Sequence, residues 1–426
     1  MEQDEIREAV ARFGTPLYLY DEAEFRRAYQ ALRNCVPREI GILYSMKANP
    51  CVGIAEVFRG LGCGVEVASS GELLLAEQAG WSGPSIVFTG PGKTSEELEL
   101  ALRAGAYCNV ESREELTELG RTARRLGLQS VGVSIRVNPT YGHSSSGMAM
   151  SGVASQFGVD ENGLEEVLET ARTERISVTG IHVYLGTQVL DAMSIARNVR
   201  ATFELVRRVS EKLRGTVAFV GLGGGFGVPY FGNETELDME LLREKLHEAW
   251  VEARPYVPRA GVFVESGRYL TARAGKFVVG VLSQKATRGQ RYLVCDGGSN
   301  FHAASAFLGR FIRNNFPMYV LGKRGAEVPF NVVGPLCTPT DVLGQGVALP
   351  GGTGPGDLIV VECSGAYGLT HSPVLFLGHR TPAEVLLNDG RLELVRRRSR
   401  DADLLVNQHW SAKPTELHVA GGSLVG

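Results

Sequence analysis

Through the first two thirds of the chain, short apolar, β-branched runs alternate with longer stretches whose apolar positions recur at helical spacing. The runs fall near 41–46, 62–67, 85–89, 106–110, 131–137, 177–184, 217–222 and 261–265. Helical patterns lie between them near 52–61, 71–80, 95–104, 113–126, 162–173, 191–214 and 235–254, and one near 22–35 precedes the first run. Several end at glycine, which readily takes the left-handed conformation that closes a helix. Eight strand–helix repeats over about 250 residues predict an α/β fold, a (β/α)8 TIM barrel, with a doubly wound open sheet as the alternative.

After about residue 275 the rhythm changes. Strand-like runs near 277–283, 291–295, 317–321, 328–333, 357–362, 384–388 and 391–396 follow one another with Gly/Pro turns and little helix. They predict a C-terminal, mainly antiparallel β domain. Pro16-Leu17-Tyr18-Leu19-Tyr20 is also strand-like. The expected division is a barrel at 22–275 and a β domain made of 1–21 plus 276–426.

Composition narrows the class. With 44% hydrophobic and 21% charged residues and a net charge of −3, the chain reads as soluble and globular. No basic excess argues for nucleic acid, and no apolar run is long enough to span a bilayer. The acidic opening Met1-Glu2-Gln3-Asp4-Glu5 lacks the build of a signal peptide. Cysteines 35, 51, 63, 108, 295, 337 and 363 form no C-x-x-C pair, so neither a zinc site nor a disulfide framework is expected. H-E-x-x-H is absent as well, and a reducing cytoplasm is the expected setting.

Candidate chemistry clusters where barrel strands end, as the fold requires. Lys47 closes the run Tyr44-Ser45-Met46-Lys47-Ala48-Asn49-Pro50. A lysine at the end of a buried strand is costly unless it has a task, such as forming a Schiff base with a carbonyl cofactor. On that run alone a structural lysine is the alternative. Gly221-Leu222-Gly223-Gly224-Gly225-Phe226-Gly227 ends the seventh run and Glu265-Ser266-Gly267-Arg268 the eighth. Consecutive glycines expose backbone N–H groups that cradle a phosphate, and Arg268 adds charge; a tight turn with a surface arginine is the bland alternative. Glu265, at the end of an apolar strand, needs a partner, either a protonated pyridine nitrogen or a group within the barrel. His182 and Tyr184 share one face of the sixth run, followed by Gly186-Thr187; a ring there could stack on a planar cofactor and the hydroxyl could donate to phosphate. In the β domain, Gly334-Pro335-Leu336-Cys337-Thr338-Pro339-Thr340-Asp341 and Ser364-Gly365-Ala366-Tyr367-Gly368 are turns carrying a cysteine, a carboxylate and a tyrosine.

Taken in order from Tyr44-Ser45-Met46-Lys47-Ala48-Asn49 to Gly365-Ala366-Tyr367, these motifs resemble the fold-type III pyridoxal-phosphate-dependent decarboxylases, the family of diaminopimelate and ornithine decarboxylases. The resemblance covers nearly the whole chain. It implies α-decarboxylation of an amino acid and a homodimer with active sites at the interface. Lys47 would be the Schiff-base lysine and Glu265 the pyridinium partner, with Gly223, Gly224, Gly225, Gly267, Arg268 and Tyr367 around the phosphate. Glu66 and Arg136 match further cofactor-site positions, as do His182, Tyr184 and Thr187. Cys337 would reach across the interface to reprotonate Cα, and Thr338 and Asp341 fall on substrate-binding positions.

The departures are informative. Tyr184 stands at the place of the family's ring-stacking histidine, with His182, two residues earlier on the same face, as the other candidate for that role; the acid that follows the cysteine is Thr338, and Gln156 stands where a lysine precedes Phe157-Gly158. Losing the acid disfavours a substrate with a free distal ammonium, since a buried ammonium needs a paired charge. With His182-Val183-Tyr184-Leu185-Gly186-Thr187-Gln188, Gly227-Val228-Pro229-Tyr230-Phe231 and Ser372-Pro373-Val374-Leu375-Phe376-Leu377-Gly378-His379, the chain resembles the narrower butirosin-pathway type, which acts on glutamate tethered to an acyl carrier protein. Antibiotic biosynthesis and a carrier-protein partner are thereby implied. Arg310, Arg313 and Lys323 are candidates for a basic carrier-docking patch, against the reading of a solvated loop. The rivals are a decarboxylase of a free diamino acid, an amino-acid racemase, a homologue that binds cofactor without catalysis, and a barrel-only cofactor-homeostasis protein.

Overall fold

The computed structural model describes residues 1–141, 148–149, 152–212, 217–306 and 314–408. Eight parallel strands close a barrel: Ile40–Ser45, Gly64–Val67, Ile86–Phe88, Tyr107–Val110, Gly132–Asn138, Ser177–His182, Phe219–Gly221 and Gly261–Ser266. The last pairs in parallel with the first, Val262 opposite Ile40 and Glu265 opposite Leu43, which closes the ring and rules out an open sheet. Each predicted run therefore became a barrel strand, with ends within a residue or two of those expected.

Short strand–helix loops end in side-chain caps that are visible in the sequence. Ser69, Thr94 and Ser112 each accept from a backbone N–H three residues on, at Glu72, Glu97 and Glu115, satisfying donors the first helical turn leaves open. Glu97 reciprocates on the Thr94 N–H, a full capping box. The strand after these helices is buried on both sides, so alternation is lost and near-continuous apolar runs remain. After the eighth strand only the short helix Arg268–Thr271 follows, and Glu22–Cys35, from before the first strand, packs against it and against Met239–Ala253 to complete the helical ring.

The second sheet is mostly antiparallel. Its strands run in the order Val342–Pro350, Glu327–Val333, Gln290–Cys295, Gly275–Thr287, Leu17–Asp21, Ala383–Asn388 and Arg391–Arg396, while Leu358–Val361 joins Gly275–Thr287 to Met318–Val320. The N-terminal strand is inserted between distant partners, antiparallel to Gly275–Thr287 and parallel to Ala383–Asn388. All five residues of Leu17–Asp21 are buried, and Tyr20 Oη donates to Glu384 at 2.6 Å. The longest elements without a counterpart in the hydropathy pattern are a helix and a strand. The helix Gln3–Phe13 is held by a capping box between Glu2 and Glu5. The strand Val342–Pro350 is interrupted by Gly344 and Gly346, and its pairing with Glu327–Val333 shifts register around them.

Candidate active site

The lysine turn is built by its neighbours. Strand Ile40–Ser45 ends in the single turn Met46–Ala48, where Tyr44 stacks on Phe58 at 4.4 Å and donates to the Asn49 carbonyl at 2.7 Å. From the β domain, Tyr367 N–H donates to the Ala48 carbonyl at 2.8 Å, and Asn49 Nδ2 donates to the Gly365 carbonyl at 3.0 Å. Lys47 is thus fixed from two domains at once. Its Nζ lies 2.9 Å from both oxygens of Glu66, at the end of the second strand. Burial alone would lower its pKa, but Glu66, with Tyr184, Tyr367 and Glu265, outweighs that and holds the ammonium above its usual range.

Lys47 opens on a narrow cavity that Tyr184, Thr187, Gly225, Glu265, Gly267, Arg268 and Tyr367 also line. Sequence reasoning assigned all of these; it missed Ser45, Phe226 and Ser266, small or apolar residues that carry no chemical signal of their own. Lys47 Nζ stands 5.7 Å from the centre of the Tyr184 ring. Burial pushes that phenol up to about 12, so it stays neutral at ordinary pH. Gly223 and Gly225 have φ of 65° and 94°, in the region that favours glycine. A Cβ on Gly224 would collide with the Glu265 carbonyl, and one on Gly225 would come 2.7 Å from the Gly186 carbonyl. Arg268 lies over the Tyr367 ring at 4.6 Å and donates to Tyr230 Oη at 3.1 Å, a partner not signalled by the sequence.

Behind the cavity, Arg136 pairs with Glu111 at 3.1 Å, and Glu111 also accepts from the Gly90 and Gly158 N–H groups. The Arg136 guanidinium stands 4.8 Å from the Phe157 ring and 6.0 Å from the Tyr184 ring. His182 is not among the lining residues; its Nε2 meets Glu265 Oε1 at 2.7 Å. Burial would raise the Glu265 pKa, but His182, then Lys47 and Arg136, hold it below the usual carboxylate range.

The remaining assignments lie apart from this cavity. Cys337 is exposed, whereas the other six cysteines are buried or half-buried. Thr338 shares a hydroxyl contact of 2.9 Å with Thr340. The Asp341 carboxylate is occupied by backbone, accepting from Ser299 N–H at 2.6 Å and Leu336 N–H at 2.8 Å. Of the basic candidates, Lys323 is neutralised by Asp357, while Arg310 and Arg313 lie outside the described residues.

Residues 22–272 match the family model for the pyridoxal-dependent decarboxylase, pyridoxal binding domain. The chain belongs to the pyridoxal-dependent decarboxylases. Over 417 residues it is 42% identical to an L-glutamyl-[BtrI acyl-carrier protein] decarboxylase of Niallia circulans, covering 96% of this chain and 97% of that one. Over 413 residues it is 31% identical to the diaminopimelate decarboxylase of Deinococcus radiodurans, covering 96% and 98%. The crystal structure of the M. jannaschii diaminopimelate decarboxylase with L-lysine superposes with a TM-score of 0.85 at 26% identity, covering 95% of this chain and 94% of that one. The enzyme is accordingly an amino-acid carboxy-lyase, and its cofactor is pyridoxal phosphate. The site fits that group on its own geometry. Glu265 Oε2 and Arg268 Nε are buried without a hydrogen-bond partner among the described residues, and both lie on the cavity that Lys47 lines. No helix among the described residues is long and apolar enough to cross a membrane.

Proposed function

We propose that this enzyme removes the α-carboxylate from an aminoacyl group carried on an acyl carrier protein, with glutamyl as the acyl class, in a secondary-metabolite pathway of the cytoplasm. The barrel, 22–275, would hold the cofactor, and the β domain, 1–21 plus 276–426, would complete the site in a homodimer. Lys47 would anchor the cofactor's aldehyde carbon, Glu265 its pyridine nitrogen, and Gly223, Gly224, Gly225, Arg268, Thr187 and Tyr367 its phosphate. When bound, pyridoxal phosphate supplies an electron sink for the pair left behind as CO2 departs. Glu265, held ionised by His182, Lys47 and Arg136, would keep a proton at the pyridine nitrogen. Cys337, supplied by the partner subunit, would return a proton to Cα, and Lys47 would hold the cofactor between turnovers.

The observation that carries the reading is the convergence of Lys47 and a buried Glu265 with a free oxygen on one cavity. For the carrier-bound substrate, the Cys337 turn is the support. Thr338 brings no charge, and the carboxylate of Asp341 is already engaged by two backbone donors. A substrate ending in a free ammonium would lack the acid that the family places after the cysteine, whereas a neutral thioester needs no counter-charge. CO2 release would be measured with added cofactor on free glutamate, ornithine, lysine, diaminopimelate and glutamate loaded on an acyl carrier protein. Activity on the loaded carrier alone is expected. Brisk turnover of a free diamino acid would remove the carrier reading and leave the decarboxylase.

A further inference from the structure

His182 ends the sixth barrel strand and Glu265 stands on the eighth, with the seventh strand between them. Their side chains nevertheless meet, Nε2 to Oε1 at 2.7 Å. The seventh strand allows this because the residue in register with His182 is Gly221. A Cβ at that position would collide with the imidazole ring. Both partners are cut off from solvent, His182 at 0% and Glu265 at 2% exposure. Glu265 and Tyr184 line the cavity, whereas His182 does not.

An ionised carboxylate only accepts, so the hydrogen in this contact sits on His182 Nε2. The bond commits Oε1 and leaves Oε2 without a partner among the described residues. A buried carboxylate that kept rotational freedom would lose the preorganisation a cofactor contact needs, and desolvation would favour its neutral form. The charged groups facing it are Lys47 and Arg136. Neither donates a hydrogen bond to it: Lys47 is bonded to Glu66 and Arg136 to Glu111.

We infer that His182 is a positioning residue, holding Glu265 across Gly221 so that Oε2 meets the pyridine nitrogen, while Tyr184 covers the ring face. The inference rests on the cofactor reading above. It gives the two residues separate tasks: His182 never touches the cofactor, and Tyr184 does.

The test uses full-length His182→Leu, which removes the donor, and His182→Gln, which keeps an N–H. Thermal unfolding confirms folding, and pyridoxal phosphate is titrated by quenching of protein fluorescence and by its bound absorption spectrum. Loss of a hydrogen bond to a charged group predicts a Kd raised about tenfold or more in His182→Leu, with a displaced absorption band. His182→Gln is expected within about threefold of wild type, with the wild-type band. A folded His182→Leu with wild-type Kd and spectrum overturns the inference. Should His182→Leu not fold, His182→Gln decides: wild-type binding supports the donor role, and a folded Gln variant that binds as weakly as Lys47→Ala overturns it. Wild-type protein with no Lys47-dependent absorption would instead overturn the cofactor reading itself.

Discussion

Two turns of the β domain, 364–368 and 335–341, carry residues assigned to the reaction, and they are held in opposite ways. The first is tied to the barrel side. Ser364 N–H donates to Gly275 and Gly365 N–H to Ala272, at 2.8 and 3.0 Å, and Tyr367 N–H donates to Ala48 at 2.8 Å. Tyr367 keeps a φ of 53°, a conformation that a bulky residue adopts only where its surroundings over-determine it. Among the described residues, the second turn is bonded only to its own domain, through the Asp341 carboxylate and the Thr338–Thr340 contact, and Cys337 stays exposed. One chain by itself therefore settles where Tyr367 stands relative to Lys47. The Cys337 turn leaves its cysteine exposed and outside the cavity that Lys47 lines.

The largest effect that would sharpen this contrast is Lys47→Ala, for which turnover is expected below about a thousandth of wild type in a CO2-release assay. Normal turnover would remove the lysine from the mechanism. Cys337→Ala should lose about a hundredfold in kcat, the span of a lost general acid, with cofactor binding intact. Mixing the two inactive variants tests the exposed turn directly. Hybrid dimers with one intact site each would restore roughly a quarter of wild-type activity, whereas no recovery would place Cys337 in its own subunit's site.

The next effect falls on the fixed turn. A Cβ on Gly365 would collide with the Thr271 carbonyl, so Gly365→Ala is expected to cost about 3 kcal/mol and to weaken cofactor binding; denaturant unfolding and cofactor titration read both. That turn is also buttressed by the loop around His302: Ala303 N–H donates to Ser372 Oγ, which donates to the Gly368 carbonyl. Burial pushes His302 down to about 4 from its ordinary 6.5. Between those values the unfolded chain holds a proton that the folded chain refuses. Stability is therefore whole above pH 6.5 and lost as pH falls toward 4, by up to about 3 kcal/mol. His302→Phe should flatten that acid limb; an unchanged limb would assign it to other groups. Smallest, Asp341→Asn should cost about 1 kcal/mol through weaker backbone acceptance and leave the affinity for substrate unchanged. A large rise in KM without loss of stability would return Asp341 to the substrate.

How much of this was legible in the residues follows from the kind of signal each feature leaves. The barrel strands are buried on both faces, which writes them as apolar runs, and the helices between them carry their Ser/Thr caps in the sequence. The strand Val342–Pro350 left no such signal, because Gly344 and Gly346 interrupt its pattern and it is fixed by pairing with Glu327–Val333. Lys47, Glu265, Arg268 and Tyr367 were recognisable by motif. Partners such as Glu111 and Tyr230 were not, since an ordinary glutamate or tyrosine acquires its role only from what it faces.

The sequence by itself determined the barrel, the following β domain and the candidates for the reactive groups, because periodicity and motif are local properties of the chain. Tertiary structure alone decided that His182 lies behind Glu265 while Tyr184 faces the cavity. Both point to one side of the same run, and what separates them is the neighbouring strand: Gly221 leaves His182 room to cross to Glu265, a choice no pattern along one strand can encode. It also decided that Asp341 serves the backbone, because two N–H groups from residues distant and near converge on a single carboxylate only once the chain is folded.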